Sequence, residues 1–136
     1  MSNFVYSKTK EAILNGQINF SSDSFKVLLL NTNYTANQDS DQFLSDIPSS
    51  SIAYLTNNLQ NITNTLGVID GDDIYFNIAA NVTFSSIVMY KVGTLNSNSR
   101  LIFYIDSSPG LPYPGSIDGS DVTIAWSNTF SKILSL

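Results

Sequence analysis

The chain has no cysteine and no histidine among its 136 residues. Those absences remove every mechanism that needs a thiolate, an imidazole base or a Cys/His metal cage: serine–histidine triads, cysteine nucleophiles and structural zinc. Without disulfides the fold must be held by packing, and a chain without thiols fits any redox compartment. Charge is scarce as well, at 12% of residues against about 25% in an ordinary soluble domain. Five Lys and one Arg leave a net charge of −5, which argues against nucleic acid as a partner, because that affinity comes largely from cationic contacts to phosphate. Long apolar runs are also missing. Val27–Leu30 and Ile87–Tyr90 are typical of those present, far short of the ~20 residues that cross a bilayer, so no membrane span is expected. Met1 to Lys10 lacks a basic start followed by an apolar stretch, so no signal peptide is expected either.

Core material is nevertheless plentiful, with 43% hydrophobic and 12% aromatic residues. The length suits one domain that buries roughly two-thirds of its unfolded surface. Ser (21), Asn (15) and Thr (10) take the place of ions in keeping the surface wet.

Ser7 to Asn15 reads as a helix of about two turns, with Ser7 as cap, Glu11 in the early turns and Gly16 at the left-handed C-terminal position. A helix so short is marginal alone, so Ile13 and Leu14 are expected to dock on the rest of the chain. Strand signals follow. Phe25–Asn31 is largely apolar on both faces, as in a strand buried within a sandwich or under the helix. Asn31–Ser51 is irregular, with a helical turn expected at Gln42–Asp46, capped by Ser40 or Asp41 and plugged by Phe43 and Leu44. Further strands are expected at Ile52–Leu55 and Leu59–Thr63, either side of a turn or bulge at Asn57 and Asn58, at Asp73–Asn77 after a turn at Asp70–Asp72, and at Ser86–Val92, Arg100–Asp106, Asp121–Trp126 and Phe130–Leu136. Ser86–Val92 and Arg100–Asp106 should form a hairpin across Gly93–Ser99. The pattern is mainly β: a single antiparallel β-sandwich or jelly-roll-like domain over residues 17–136, with residues 1–16 an arm and short helix packing on it.

Tests for chemistry return little. Asp70, Asp72 and Asp73 around Gly71 form the densest carboxylate group, but their register is not that of a calcium loop and no Glu follows. A turn explains them without a metal. Asp106, Asp118 and Asp121 bracket a Pro/Gly loop, where aspartates are routine turn residues rather than a glycosidase pair. Glu11, Lys8, Lys10 and Lys26 read as solvated charges. The sequons at Asn33, Asn61 and Asn81 are expected by chance in so Asn- and Thr-rich a chain. No catalytic, cofactor-binding or metal-binding residue is assigned.

The features left over are apolar and structural. Ser107–Gly119 holds three of the four prolines, and its Pro109, Leu111, Pro112, Tyr113 and Pro114 make a stiff loop. Such a loop either caps its own domain, with Leu111 inward, or meets a partner through Tyr113 and Pro112. Met1–Tyr6, with Phe4 and Tyr6, is either an edge strand or an arm reaching to a neighbour. Tyr34, Tyr54 and Tyr113 beside Asn and Asp residues are of a kind that can hold sugars.

The segments SKTKEAILNGQIN (Ser7–Asn19), FLSDI (Phe43–Ile47), GVIDGDDIYF (Gly67–Phe76), VMYK (Val88–Lys91), RLIFYID (Arg100–Asp106), GLP (Gly110–Pro112) and the ending GSDVTIAW…KILSL resemble, in the same order, a small family of virion structural proteins of tailed bacteriophages. The resemblance spans nearly the whole chain. Ile69 stands where Phe is common and Phe103 where Ala is common. The resemblance implies an assembly protein without catalytic residues or cofactor, made in the host cytoplasm and placed on the outer surface of the head as a decoration (cement) or head-fibre-associated protein. Its implied partners are the major capsid protein or other virion proteins, and further copies of itself, with a trimer favoured by shell symmetry. The alternative is a tail or fibre component with a receptor- or carbohydrate-binding role.

Overall fold

A computed structural model of the chain describes residues 3–66, 68–78, 83–106, 120–124 and 134–135. In chain order the elements are β1 (Asn3–Val5), α1 (Ser7–Leu14), β2 (Phe25–Leu30), β3 (Ile52–Leu55), β4 (Thr63–Thr65), β5 (Val68–Asp70), β6 (Ile74–Ile78), β7 (Ser86–Lys91), β8 (Leu101–Ile105), β9 (Ser120–Ile124) and β10 (Leu134–Ser135). Short 3₁₀ turns lie at Leu44–Asp46, Ser49–Ser51 and Asn96–Asn98. The largest sheet has the order β1-β8-β7-β2-β3, with β5 between β4 and β10 in a second and β6 beside β9 in a third. Every pairing among the described residues is antiparallel. The expected mainly β, antiparallel, sandwich-like domain with one short helix is therefore what forms.

The sheet is buried on both faces because the sequence of β2 is apolar at every position but Lys26. Phe25, Val27 and Leu29 enter one core cluster with Met89, Ile102 and Phe103. Leu28 and Leu30 enter the other, with Val88, Tyr90 and Leu101. Burying each such side chain contributes about 1.5–3 kcal/mol. The first face is covered by Ile69 of β5, Leu59, Phe84 and Phe20, with Ile74 of β6 packed against them. The second is covered by Tyr34, Leu44 and Ile47 from the long irregular segment, and by Tyr6. A shift of register between Met89 and Tyr90 pairs Met89 with Phe103 and Tyr90 with Leu101. Ile102 is the extra residue of this bulge, which is why Ile102 and Phe103 join the same cluster.

The β7–β8 hairpin forms as expected. Its connection is tight: a Cβ on Gly93 would lie 2.6 Å from the Asn98 carbonyl oxygen, so only glycine fits there. The Ser99 hydroxyl accepts from the Gly93 N–H at 3.0 Å and donates to the Leu95 carbonyl at 2.8 Å. Asn3–Val5 takes up the edge-strand alternative, pairing with β8 from Asn3↔Ile105 to Val5↔Phe103. The first sixteen residues are thus partly built into the main sheet.

The helix covers Ser7–Leu14 as anticipated, but its details differ. Tyr6 occupies the N-cap position with no side-chain cap, and the Ser7 hydroxyl instead donates to Asp39. The end is a Schellman turn: Gln17 N–H donates to the Ala12 carbonyl at 2.9 Å and Gly16 N–H to that of Ile13 at 3.1 Å, with Gly16 at φ +71°. Ile13 packs against the first cluster, whereas Leu14 is 87% exposed, which corrects the expectation that both dock. Thr9 and Ala12 form the buried face, because the Thr9 hydroxyl donates to the Leu101 carbonyl.

Three further expectations are corrected. Asp46, not Ser40 or Asp41, caps the turn after Phe43, its carboxylate accepting from the N–H groups of Gln42 (2.8 Å) and Phe43 (2.9 Å). Leu44 is buried, but Phe43 carries the Arg100 guanidinium 4.9 Å above its ring. The strand expected at Leu59–Thr63 begins at Thr63, because Asn61 adopts φ +53° and breaks the extended run. Ser107–Gly119, Trp126 and Phe130 lie outside the described residues.

Candidate functional site

Of the residues singled out as contacts, Pro112 and Tyr113 lie outside the described residues. Phe4 is half-buried on β1, stacked on Tyr104 at 5.2 Å and edge-on to Tyr6 at 5.3 Å. Tyr6 is 0% exposed. It fills the second core cluster of its own chain, which corrects the expectation that it meets a partner. Tyr34 is buried too, and is not the open sugar platform its sequence context suggested.

These two tyrosines form a buried polar chain. The Tyr34 hydroxyl donates to Asp41 at 2.7 Å and lies 2.9 Å from the Tyr6 hydroxyl. A phenol has one proton, so Tyr6 is the donor to Tyr34. Burial holds both phenols well above their ordinary value of 10.0. Burial likewise raises Tyr90, and raises Tyr104 together with its hydrogen bond to Asp106. The Tyr104 hydroxyl donates to Asp106 at 3.0 Å, so Asp106 serves the end of β8. Asp121 lies on β9, which pairs with β6 in a different sheet, and Asp118 is outside the described residues.

The exposed surface carries isolated large apolar side chains. Leu66 is 97% exposed, Leu14 87% and Leu95 65%. Leu66 also sits after β4 at φ +53°, a left-handed conformation that costs roughly 1–2 kcal/mol for a residue with a Cβ.

One concave site is well built. Thr56 is pinned to β2 by backbone and side chain, its N–H donating to the Val27 carbonyl at 3.0 Å and its hydroxyl accepting from the Val27 N–H at 3.1 Å. Leu59 N–H donates to the Phe25 carbonyl at 2.9 Å. The segment between them, the exposed Asn57 and Asn58, is therefore an arch held to β2 at both ends. The connection from β5 to β6, Gly71–Asp73, is tied to that arch, since Asp72 N–H donates to the Gln60 carbonyl at 3.0 Å and the Asn61 amide donates to the Asp72 carboxylate at 2.7 Å. Between arch, connection and β3 lies a cleft of about 160 Å³ walled by Tyr54, Asn57, Asn58, Gln60, Asp72 and Asp73, with Leu59 and Ile74 at its apolar base. Among the described residues no group of three or more acidic, His or Cys side chains is placed to hold a metal ion.

The sequence marks Asn57-Asn58 as a turn or bulge and Asp70–Asp72 as a turn, but nothing local says that the two meet. Their only common signal is the density of amide and carboxylate side chains on each. Compared with known proteins, the chain matches no protein-family model and no curated protein.

Proposed function

We propose that the protein is a non-enzymatic virion structural protein of a tailed bacteriophage, bound to the outer surface of the head as a decoration protein. The observation that carries this reading is the surface: large apolar side chains at Leu14, Leu66 and Leu95 stand out from surroundings in which Ser, Asn and Thr replace ions. Each is suited to burial against another subunit, because it offers an apolar anchor without the cost of desolvating charges. The left-handed Leu66 is the strongest instance, since an exposed leucine there gives the free chain nothing. The resemblance of the ordered segments to phage virion proteins supports the same reading. Its partners are the major capsid protein and further copies of the chain, closed as a trimer because decoration sites on icosahedral shells lie on symmetry axes. The net charge of −5 disfavours contact with packaged DNA and supports a position outside the shell. Native mass spectrometry at micromolar concentration, with detection of the chain in purified particles, tests the proposal. A homo-oligomer and a particle signal are expected; monomer alone and no particle signal would overturn it.

A second reading, a receptor- or carbohydrate-binding component of a fibre or tail, is favoured by one observation, the cleft beside Tyr54.

A further inference from the structure

We propose that the cleft between Tyr54 and Asp73 is a binding subsite for a single pyranose ring of an uncharged glycan. This assignment gives the second reading its site and ligand class and rests on that reading, while leaving the position of the protein on the particle open.

The chemistry of the walls selects the ligand. Asn57 and Asn58 each carry a donor and an acceptor on one amide, and Gln60, whose amide nitrogen donates to the Asn58 carbonyl at 3.1 Å, keeps a second N–H and its oxygen, which matches hydroxyls that must both give and receive hydrogen bonds. Asp72 and Asp73 add acceptors only. Among the described residues no Lys or Arg lines the cleft, so a phosphate or carboxylate ligand would be brought up against the two carboxylates Asp72 and Asp73. A purely apolar ligand would leave the amides without partners, which is costly once water is displaced. The remaining class is polar, uncharged and rich in hydroxyls.

Size and shape narrow it further. The volume of about 160 Å³ lies below the roughly 300–1,000 Å³ of sites for drug-sized ligands, so one ring fits and an extended oligosaccharide would run out into solvent. Tyr54 supplies an aromatic wall and Leu59 and Ile74 an apolar base, suited to the C–H faces that a pyranose presents beside its hydroxyls. The walls are preorganised. Thr56, Leu59 and Asp72 are each fixed by backbone hydrogen bonds to β2 or to the arch, so little order has to be imposed on binding.

The test is a titration of the ¹⁵N-labelled full chain with methyl glycosides of glucose, galactose, mannose and N-acetylglucosamine, followed by NMR, with inorganic phosphate as the charged comparison. At least one glycoside is expected to bind near millimolar, shifting the backbone signals of 54–60 and 72–74 and the side-chain amides of Asn57, Asn58 and Gln60. Tyr54→Ala should weaken that binding at least tenfold and Tyr54→Phe should restore it. Should Tyr54→Ala fail to fold, Asn57→Ala and Asn58→Ala on the exposed arch carry the same expectation. Shifts elsewhere, or binding indifferent to all three changes, would overturn the site while leaving glycan recognition standing. No shift with any glycoside would overturn the site and the second reading together. Phosphate shifting the same residues would overturn the assignment of an uncharged ligand.

Discussion

Removing the Tyr34 hydroxyl should destabilise the protein more than removing that of Tyr6, and removing both should be milder than removing Tyr34 alone. The order follows from who donates to whom. Tyr34 donates to Asp41 at 2.7 Å and receives from Tyr6 at 2.9 Å. Tyr6→Phe loses one neutral hydrogen bond and leaves Tyr34 satisfied through Asp41, a cost of about 1 kcal/mol. Tyr34→Phe loses the bond to Asp41, about 1.5 kcal/mol since that carboxylate is only part-buried, and strands the Tyr6 hydroxyl in a site with 0% exposure, roughly another 1.5 kcal/mol. The single change thus costs about 3 kcal/mol. In the double variant no hydroxyl is stranded and the Tyr6–Tyr34 pair is removed whole, so adding Tyr6→Phe to Tyr34→Phe should return about 1 kcal/mol. Urea denaturation of the four proteins measures this directly, provided the m-values agree. A double variant less stable than Tyr34→Phe would refute the donor order and the stranded hydroxyl with it.

Alkaline pH should unfold the protein, because burial lifts the Tyr6 and Tyr34 phenols above 10.0 in the fold while the unfolded chain titrates at the ordinary value. Below about pH 10 both states are protonated and their contribution is complete; above it the unfolded state loses protons first, and stability falls by about 1.4 kcal/mol per pH unit for each phenol. Denaturation followed from pH 9 to 11.5 should show this slope, reduced in the Tyr6→Phe, Tyr34→Phe double variant; an unchanged slope would contradict it. Gly16→Ala should cost roughly 1 kcal/mol by backbone conformation alone, as φ is +71° and a Cβ there meets no atom within 4 Å; thermal melting with no loss would contradict the Schellman ending. Leu66→Gly should leave stability within about 1 kcal/mol, since relief of the left-handed backbone offsets the added chain entropy, yet lower incorporation into particles, scored by quantitative mass spectrometry of purified virions; unaltered incorporation would remove Leu66 as an anchor.

Much of the fold was legible because it is written in local patterns. The run Phe25–Leu30, apolar on both faces, requires cover on both sides and receives it. The β7–β8 hairpin is announced by two apolar strands and the turn-rich segment between them, and Gly16 announces the end of the helix. Failures occurred where a tertiary partner outweighed a local preference. Ser7 is a good cap by type, but Asp39, thirty-two residues away, takes its hydroxyl. Thr9 is buried in place of Leu14 because the Leu101 carbonyl offers its hydroxyl a partner. A single left-handed Asn61 displaces a strand. The cleft illustrates the same limit: Asn57-Asn58 reads as a turn or bulge and Asp70–Asp72 as a turn, and what joins the two segments, the bonds from the Asp72 N–H to the Gln60 carbonyl and from the Asn61 amide to Asp72 included, is tertiary. Tyr6, read from its neighbours as part of an arm, is drawn inside by an acceptor on Tyr34 that no local pattern reveals.

The proposal that this chain is an assembly part of the head is tested most directly by a reconstruction of the intact phage particle at side-chain resolution. The account predicts density for the domain on the outer face of the shell, as a closed homo-oligomer on a symmetry axis, with Leu66 or Leu14 buried against a neighbouring subunit. A particle whose every density is assigned without this chain, or one that holds it only at a tail or fibre tip, would contradict it.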